Sequence, residues 1–311
     1  MPKIVTLTLN PALDKGTRAK NVAPERKLRC GEPTFEPGGG GVNVATAVHR
    51  LGGDTVAGWT SGGFVGKLFG SLLDEKNLPH HPIQIAGTTR ENFAVFEESS
   101  EQQFRFCLPG ARLSEEEIQS CVDWLQSIDP VPEFLVLSGS LPPDSDDRLY
   151  ARMAEAVASS CRVVVDTSGP PLRKAVDGSI FMIKPNIREL GQMVDRSIED
   201  DDEIHEVARS LIEEGGIEVV LTSLGSGGAV LTTAEIRERI PAPTVKIRSK
   251  IGAGDSTVAG VVLALARGQS VPEAARFGIA AGAAAVMTEG TELCRRKDTE
   301  NLYRRIIADG S

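Results

Sequence analysis

Apolar runs of strand length alternate with helix-length stretches along nearly the whole chain, and no other feature constrains the fold as strongly. Strand-like runs fall at residues 4–9, 54–59, 134–137, 162–166, 179–183 and 217–221. Helical spacing or helix-end chemistry marks residues 42–51, 65–77, 114–128, 148–158, 187–194, 203–214, 254–267, 271–287 and 299–308. The third of these helices opens with Ser114 and Glu117, a capping box in which each residue satisfies the other's end group. Strands separated by helices pair in parallel, and a parallel sheet needs helices on both of its faces. The expected class is therefore α/β, a mostly parallel central sheet inside three α/β/α layers.

Two windows break the alternation. Residues 15–37 are polar with no helical spacing, and residues 88–108 hold two strand-like runs, 93–97 and 103–108. Both windows lie between α/β units, so the simplest arrangement is a small second sheet that projects from the main body and covers its ligand site. Free strand edges in such a sheet are best covered by the same sheet of a second subunit, which predicts a homodimer formed through it. The chain has 311 residues, and α/β units of that length often form one domain. The expected organisation is a single domain over 1–311 with a β-sheet lid built from about 15–37 and 88–108.

Charge narrows the partners. Against 34 Lys and Arg stand 43 Asp and Glu, a net charge of -9, which argues against nucleic acid. An anionic ligand must then be held by local positive groups, because the overall field repels it. The five cysteines (Cys30, Cys107, Cys121, Cys161, Cys294) are odd in number and widely spaced, a pattern that predicts buried thiols in a reducing cytosol. The N-terminal stretch lacks the apolar core of a leader peptide, and no segment approaches the ~20 apolar residues of a membrane span. A cytoplasmic protein is expected.

Four strings could carry chemistry. In IGAGDSTVA (251–259), the small residues Gly252, Ala253 and Gly254 run into a helix with Asp255 at its start. Backbone N–H groups freed of bulky neighbours can receive an anion there, and the aspartate could accept a hydroxyl proton. A glycine-rich turn with an acidic first-turn residue reads the same way. In PGGGGVNVA (37–45), Gly38 and Gly39 begin a four-glycine run before a helix, with Asn43 in its first turn. Ordering four glycines is entropically costly, so close approach to a ligand is the better explanation than a plain flexible turn. This run is not a dinucleotide fingerprint, and residues 61–68 are not a Walker loop, since Ser61 takes the first glycine position and Leu68 follows Gly66-Lys67. In KPNIRE (184–189), Asn186 and Glu189 share a face of the first helical turn and could hold a hydrated Mg²⁺, or simply start the helix. TSLGSGG (222–228) is a further small-residue loop after a strand. Lys27, Arg29 and Arg90 lie in the lid windows and are positive groups available to a phosphate, or ordinary surface charges. Asp14, ending LNPALD, could accept from sugar hydroxyls or form a turn.

Taken together and in this order, TLNPALD, PGGGGVNVA, KPN-x-x-E, SLG-x-x-G and GAGD resemble the PfkB, or ribokinase-like, carbohydrate kinase family across essentially the whole chain. KLRC (27–30), TREN (89–92), LPG (108–110) and SGSLPP (138–143) resemble its sugar-phosphate branch. Kinases of fructose 1-phosphate and tagatose 6-phosphate usually carry a lysine in the glycine run, where this chain has Gly40 and Gly41, so the resemblance favours phosphorylation of fructose 6-phosphate by ATP.

The resemblance implies a ribokinase-like fold and a role for each string. Asp255 is the expected base for the C1 hydroxyl, with Gly252, Ala253 and Gly254 as the anion hole. Asp14, Gly38, Gly39, Asn43 and Ser138 would contact the sugar, and Lys27, Arg29 and Arg90 its phosphate end. Lys184, Asn186, Ser223, Leu224, Gly225 and Gly228 would line the nucleotide site, with Glu189 positioning Mg²⁺ through water. A monovalent-cation site built mainly from carbonyls maps to Ser249, Ile251, Ala285, Thr288 and Gly290. Lys250 replaces the small hydroxyl residue usual there, and a fixed ammonium opposes K⁺. Kinases for tagatose 6-phosphate or fructose 1-phosphate, and a non-catalytic sensor of sugar phosphate and nucleotide, are the competing readings.

Overall fold

The computed structural model describes residues 3–309; residues 1, 2, 310 and 311 of the expected domain lie outside it. In chain order the first part holds β1 (Ile4–Thr8), β2 (Ala12–Ala19), β3 (Thr34–Gly38), α1 (Gly40–Arg50), β4 (Thr55–Ser61), α2 (Gly63–Glu75) and β5 (His80–Gln84). The middle holds β6 (Arg90–Glu97), β7 (Gln102–Cys107), α3 (Glu115–Ser127), β8 (Phe134–Ser138), α4 (Leu149–Glu155), β9 (Arg162–Asp166), α5 (Pro170–Ala175), β10 (Ile180–Ile183) and α6 (Ile187–Met193). The last part holds α7 (Asp201–Glu213), β11 (Ile217–Ser223), β12 (Ala229–Thr232), β13 (Arg237–Ile240), α8 (Ala253–Ala266), α9 (Val271–Ala285) and α10 (Arg296–Asp309).

The large sheet has nine strands in the order β13-β12-β11-β10-β9-β8-β1-β4-β5. Its strands run parallel from β5 to β11, and β12 and β13 close one edge antiparallel. Successive residues of the central strands point to opposite faces and divide the core in two. Ile4, Phe134, Val136 and Val164 pack under α1, α8, α9 and α10. Val5, Leu135, Leu137, Val163 and Val165 pack under α3 to α7. A smaller cluster joins β4 to α2, where the Trp59 and Phe69 rings stand 4.4 Å apart. No helix among the described residues is long and apolar enough to cross a membrane.

Helix α8 is buried from Ser256 to Ala266 and crosses α9 closely. A Cβ on Gly260 would lie 2.8 Å from Gly278 Cα, so the crossing requires glycine there. That contact fixes where α8 begins, and with it the place of Asp255.

The second sheet has four strands in the order β3-β2-β6-β7, drawn from residues 12–19, 34–38, 90–97 and 102–107. It begins at Ala12 rather than residue 15, because β2 leaves the main body directly after the end of β1. Three strands and one helix fall outside the sequence expectation. Strand β5 carries Pro82 and two histidines, which an edge strand tolerates. Strands β12 and β13 have four residues each, too short for a period, and α5 starts with two prolines that read as a breaker. Helix α4 stops at Glu155, short of the expected 158, ahead of Ser159 and Ser160, whose hydroxyls compete for backbone groups. All five cysteines are free, but the expectation of burial fails for Cys30 and Cys107, which are exposed on the small sheet.

Candidate active site

The carboxyl ends of β8, β9 and β10 present Ser138, Asp166 and Lys184. The N-termini of α1 and α8 arrive over the same edge, where Asn43 Nδ2 donates to Asp255 Oδ2 at 2.9 Å. Burial and the nearby negative charge of Asp166 push the Asp255 carboxyl up to about 7, against smaller opposing effects of the Asn43 hydrogen bond and Lys184. Lys184 is 7% exposed, and its Nζ lies 3.3 Å from Asp166 Oδ1. Burial alone would lower this lysine, but Asp166, Glu189 and Asp255 together raise it. The cleft therefore holds a charged lysine among three carboxylates, one of which sits near neutrality.

The start of α8 is shaped by Gly252, which caps the helix at φ 74° in the left-handed region. A Cβ there would also lie 2.5 Å from Leu293 Cδ2. The helix's own bonding starts with Ser256 N–H to Gly252 O, so the N–H groups of Ala253, Gly254 and Asp255 stand outside its ladder. A Cβ on Gly254 would reach Lys184 Nζ at 3.5 Å, so the nest and the lysine adjoin.

The four-glycine run has a packing role that the sequence did not reveal. A Cβ on Gly38 would fall 2.6 Å from Asp14 Oδ2, on Gly39 2.7 Å from Thr8 Cγ2, on Gly40 2.3 Å from Ser138 Oγ, and on Gly41 2.8 Å from Leu7 O. The protein's own atoms stand close at all four positions: β2 at Gly38, β1 and Pro11 at Gly39, β8 at Gly40 and β1 at Gly41, so the run also serves packing. Ser138 Oγ, buried against this turn, has no hydrogen-bond partner in the protein.

Across the cleft, the inner face of the small sheet carries a rung formed by Glu36, Asp14, Asn92 and Cys107 on its four strands. Asn92 Nδ2 donates to Asp14 Oδ1 at 2.8 Å. Burial raises the Asp14 carboxyl, as does Glu36, while the Asn92 bond, Arg105 and Arg90 lower it. Arg90 donates to Asn10 O at 3.2 Å and Leu108 O at 3.3 Å, and its buried Nε has no partner. The Thr291 hydroxyl donates to the Glu36 carboxylate, a contact from the main body to the small sheet. Lys27 and Arg29 stand apart, exposed on the loop between β2 and β3, with no hydrogen bond or ion pair to another candidate among the described residues.

Asn186 and Glu189 form a reciprocal capping box: Asn186 Oδ1 accepts from Arg188 and Glu189 N–H, and Glu189 Oε2 accepts from Asn186 N–H at 2.8 Å. That use occupies one oxygen of each side chain and leaves Glu189 Oε1 for other partners. Ser223 N–H donates to Pro185 O at 2.8 Å, which ties the 222–228 loop to this helix start. Gly225 (φ 60°) and Gly228 (φ 94°) shape that loop, closed by Leu224 N–H to Gly228 O. Among the residues expected to hold a monovalent cation, Ser249 Oγ donates to Gly290 O at 2.6 Å and Ile251 N–H to Ser249 Oγ at 3.2 Å, while Thr288 Oγ1 donates to Ala285 O at 2.7 Å within its own turn. Lys250, between Ser249 and Ile251, is exposed to solvent.

Sequence reasoning passed over Asp166, Glu36, Asn10 and the contact role of Asn92. A signal existed for Asp166, the first polar residue after a buried strand, which places it on the ligand-binding edge of a parallel sheet.

The family model of the pfkB family carbohydrate kinases matches residues 10–298. The chain is 42% identical over 303 residues to an ATP-dependent 6-phosphofructokinase isozyme 2 of Mycobacterium tuberculosis, covering 97% of this chain and 89% of that protein. It superimposes on phosphofructokinase-2 from Escherichia coli in complex with potassium with a TM-score of 0.94 at 39% identity, over 99% of this chain and 100% of the other. The same enzyme in complex with fructose-6-phosphate gives 0.91 at 38% identity over the same shares.

Proposed function

The chain belongs to the pfkB family of carbohydrate kinases, and on that premise we propose that it transfers the γ-phosphoryl group of ATP to the C1 hydroxyl of fructose 6-phosphate. The products are fructose 1,6-bisphosphate and ADP, a step of glycolysis. The observation that carries this reading is the Asp255 carboxyl at about 7, hydrogen-bonded to Asn43 and set at the mouth of the α8 nest.

Ionised Asp255 accepts the hydroxyl proton as the sugar oxygen attacks phosphorus and the bond to the ADP oxygen breaks. The N–H groups of Ala253, Gly254 and Asp255 receive the charge on the transferring group, and buried Lys184 adds a positive charge beside them. Asp14, Gly38, Gly39, Asn43 and Ser138 are assigned to the sugar, and Ser138 Oγ, unpartnered and buried, suits a hydroxyl there. Arg90 takes the 6-phosphate, with Lys27 and Arg29 contributing from their exposed loop. Lys184, Asn186 and the loop at Ser223, Leu224, Gly225 and Gly228 are assigned to the nucleotide.

The kinase family implies ATP with a divalent metal. Glu189 Oε1, which the capping box does not use, and Asp166 beside Lys184 are the carboxylate oxygens that would hold Mg²⁺ through water and phosphates. A divalent ion held there would supply positive charge against the phosphate oxygens. We assign K⁺ to Ser249, Ile251, Ala285, Thr288 and Gly290, a reading supported by the hydrogen bond that brings the Ser249 turn against Gly290 and by the exposure of Lys250.

The small sheet acts in this reading as a lid and as the contact of a homodimer. Support comes from its outer face, where Phe35, Phe93 and Phe106 are 38%, 40% and 54% exposed in one rung with Lys15. Five free thiols suit the cytoplasm. A coupled assay for ADP release over a panel of hexose phosphates tests the whole reading. The highest kcat/KM should belong to fructose 6-phosphate; a preference for tagatose 6-phosphate or fructose 1-phosphate, or no ADP at all, would replace it.

A further inference from the structure

Asn92 sits directly opposite Asp14 on the neighbouring strand of the lid, with Cys107 on its other side. Its two side-chain ends are both engaged. Oδ1 accepts from Leu108 N–H at 3.3 Å, and Nδ2 donates to Asp14 Oδ1 at 2.8 Å. The first bond settles the orientation of the amide, because only an oxygen can accept from a backbone N–H. The nitrogen must then face Asp14.

This fixes the carboxylate in two respects. Asp14 Oδ1 is committed to a donor, and Oδ2 lies on the side of the glycine turn, where a Cβ on Gly38 would meet it at 2.6 Å. A donor on one oxygen favours the charged form against the burial that raises this carboxyl, and the charged form offers the other oxygen only as an acceptor. Glu36, on the opposite flank of the same rung, works against this by adding a second negative charge. Without Asn92, Oδ1 would lose its donor, and only the charges of Arg105 and Arg90 would act against burial and the like charge of Glu36.

We propose that Asn92 is a positioning residue for sugar recognition, which holds Asp14 as a pure acceptor so that the lid selects a sugar hydroxyl able to donate to it. The inference rests on the reading that Asp14 contacts the sugar. Leu108 belongs to the same chain of contacts, since its carbonyl accepts from Arg90 while its N–H orients Asn92. The residues assigned to the hydroxyl and phosphate ends of the sugar are thus registered through one backbone position.

The test is steady-state kinetics of Asn92→Ala and Asn92→Asp against the parent enzyme, with fructose 6-phosphate and MgATP, from pH 6 to 9. Loss of a hydrogen bond to a charged group should raise KM for the sugar about 10- to 100-fold. KM for MgATP and the thermal midpoint should stay close to the parent, and kcat at saturating sugar should fall less than kcat/KM. Asn92→Asp keeps the shape but places carboxylate against carboxylate, which share a proton only in acid. Its sugar KM should therefore recover toward the parent as pH is lowered, whereas that of Asn92→Ala should not. An unchanged sugar KM in both variants, equal losses toward sugar and nucleotide, or the same pH response in both would overturn the proposal while leaving the kinase reading intact. A parent enzyme that neither binds nor phosphorylates a hexose phosphate overturns both.

Discussion

Asn43 donates to Asp255 at 2.9 Å and so joins the first turn of α1 to the first turn of α8 across 212 positions of sequence. The bond opposes the burial that lifts the carboxyl to about 7. A base must be ionised to work, so kcat/KM for the sugar should fall about tenfold per pH unit below about 7 and level off above it. Asn43→Ala removes an effect that lowers the carboxyl, so its acid limb should move to higher pH. A pH–rate profile at saturating MgATP checks both statements, and a limb that stays in place in the variant contradicts the second.

Lys184 and Asp166 form a buried pair, with side chains 8% and 15% exposed. Lys184→Met leaves Asp166 and Asp255 facing each other without the cation. Breaking such a pair from one side costs about 3–5 kcal/mol, which urea unfolding at pH 8 would read. Adding Asp166→Asn should recover much of the loss by removing the uncompensated charge. A single-variant loss below about 1 kcal/mol would mean that the pair is better solvated than its geometry indicates.

Gly40 allows α1 to start against β8. Gly40→Ala puts a methyl group 2.3 Å from Ser138 Oγ and 2.6 Å from Gly139 N, the second of which is backbone and cannot swing aside. Overpacking of this kind costs about 1–3 kcal/mol. The displaced helix carries Asn43, so kcat/KM should fall by about 10²-fold, as small displacements of positioning groups do. Thermal unfolding and steady-state kinetics check the two effects together; full activity would show that the turn repacks freely.

Exposure of Lys250 weakens the objection that the sequence raised to K⁺. At equal ionic strength, replacing Na⁺ by K⁺ should raise the rate, and Lys250→Ser should change the K⁺ midpoint by no more than about threefold, since an exposed charge is screened by water and salt. Identical rates in the two salts would remove the ion from the account, and a large gain in Lys250→Ser would restore the objection.

Much of the architecture was legible because buried parallel strands are uninterrupted apolar runs. PHE-LEU-VAL-LEU at 134–137 and VAL-VAL-VAL at 163–165 each serve two cores at once, one residue per face. Strands β12 and β13 were not legible, since four residues joined by tight turns carry no period. At the site, the glycine-rich start of α8 stood out, but the partners of its aspartate did not. Asp166 reaches Lys184 only because β9 and β10 are neighbours, and Asn92 reaches Asp14 only through the register of β2 with β6. Such pairings are set by topology, not by spacing along the chain. The four glycines show the reverse case: they were conspicuous in sequence, but not the atoms they accommodate, which belong to Asp14, Thr8, Ser138 and Leu7.

The most direct measurement is the turnover of Asp255→Asn with fructose 6-phosphate and MgATP, alongside nucleotide binding by calorimetry. Loss of the general base should lower kcat by about 10²–10⁴-fold while MgATP still binds with near-parent affinity. Turnover within a few-fold of the parent would contradict the assignment of Asp255 and, with it, the chemistry placed at the start of α8.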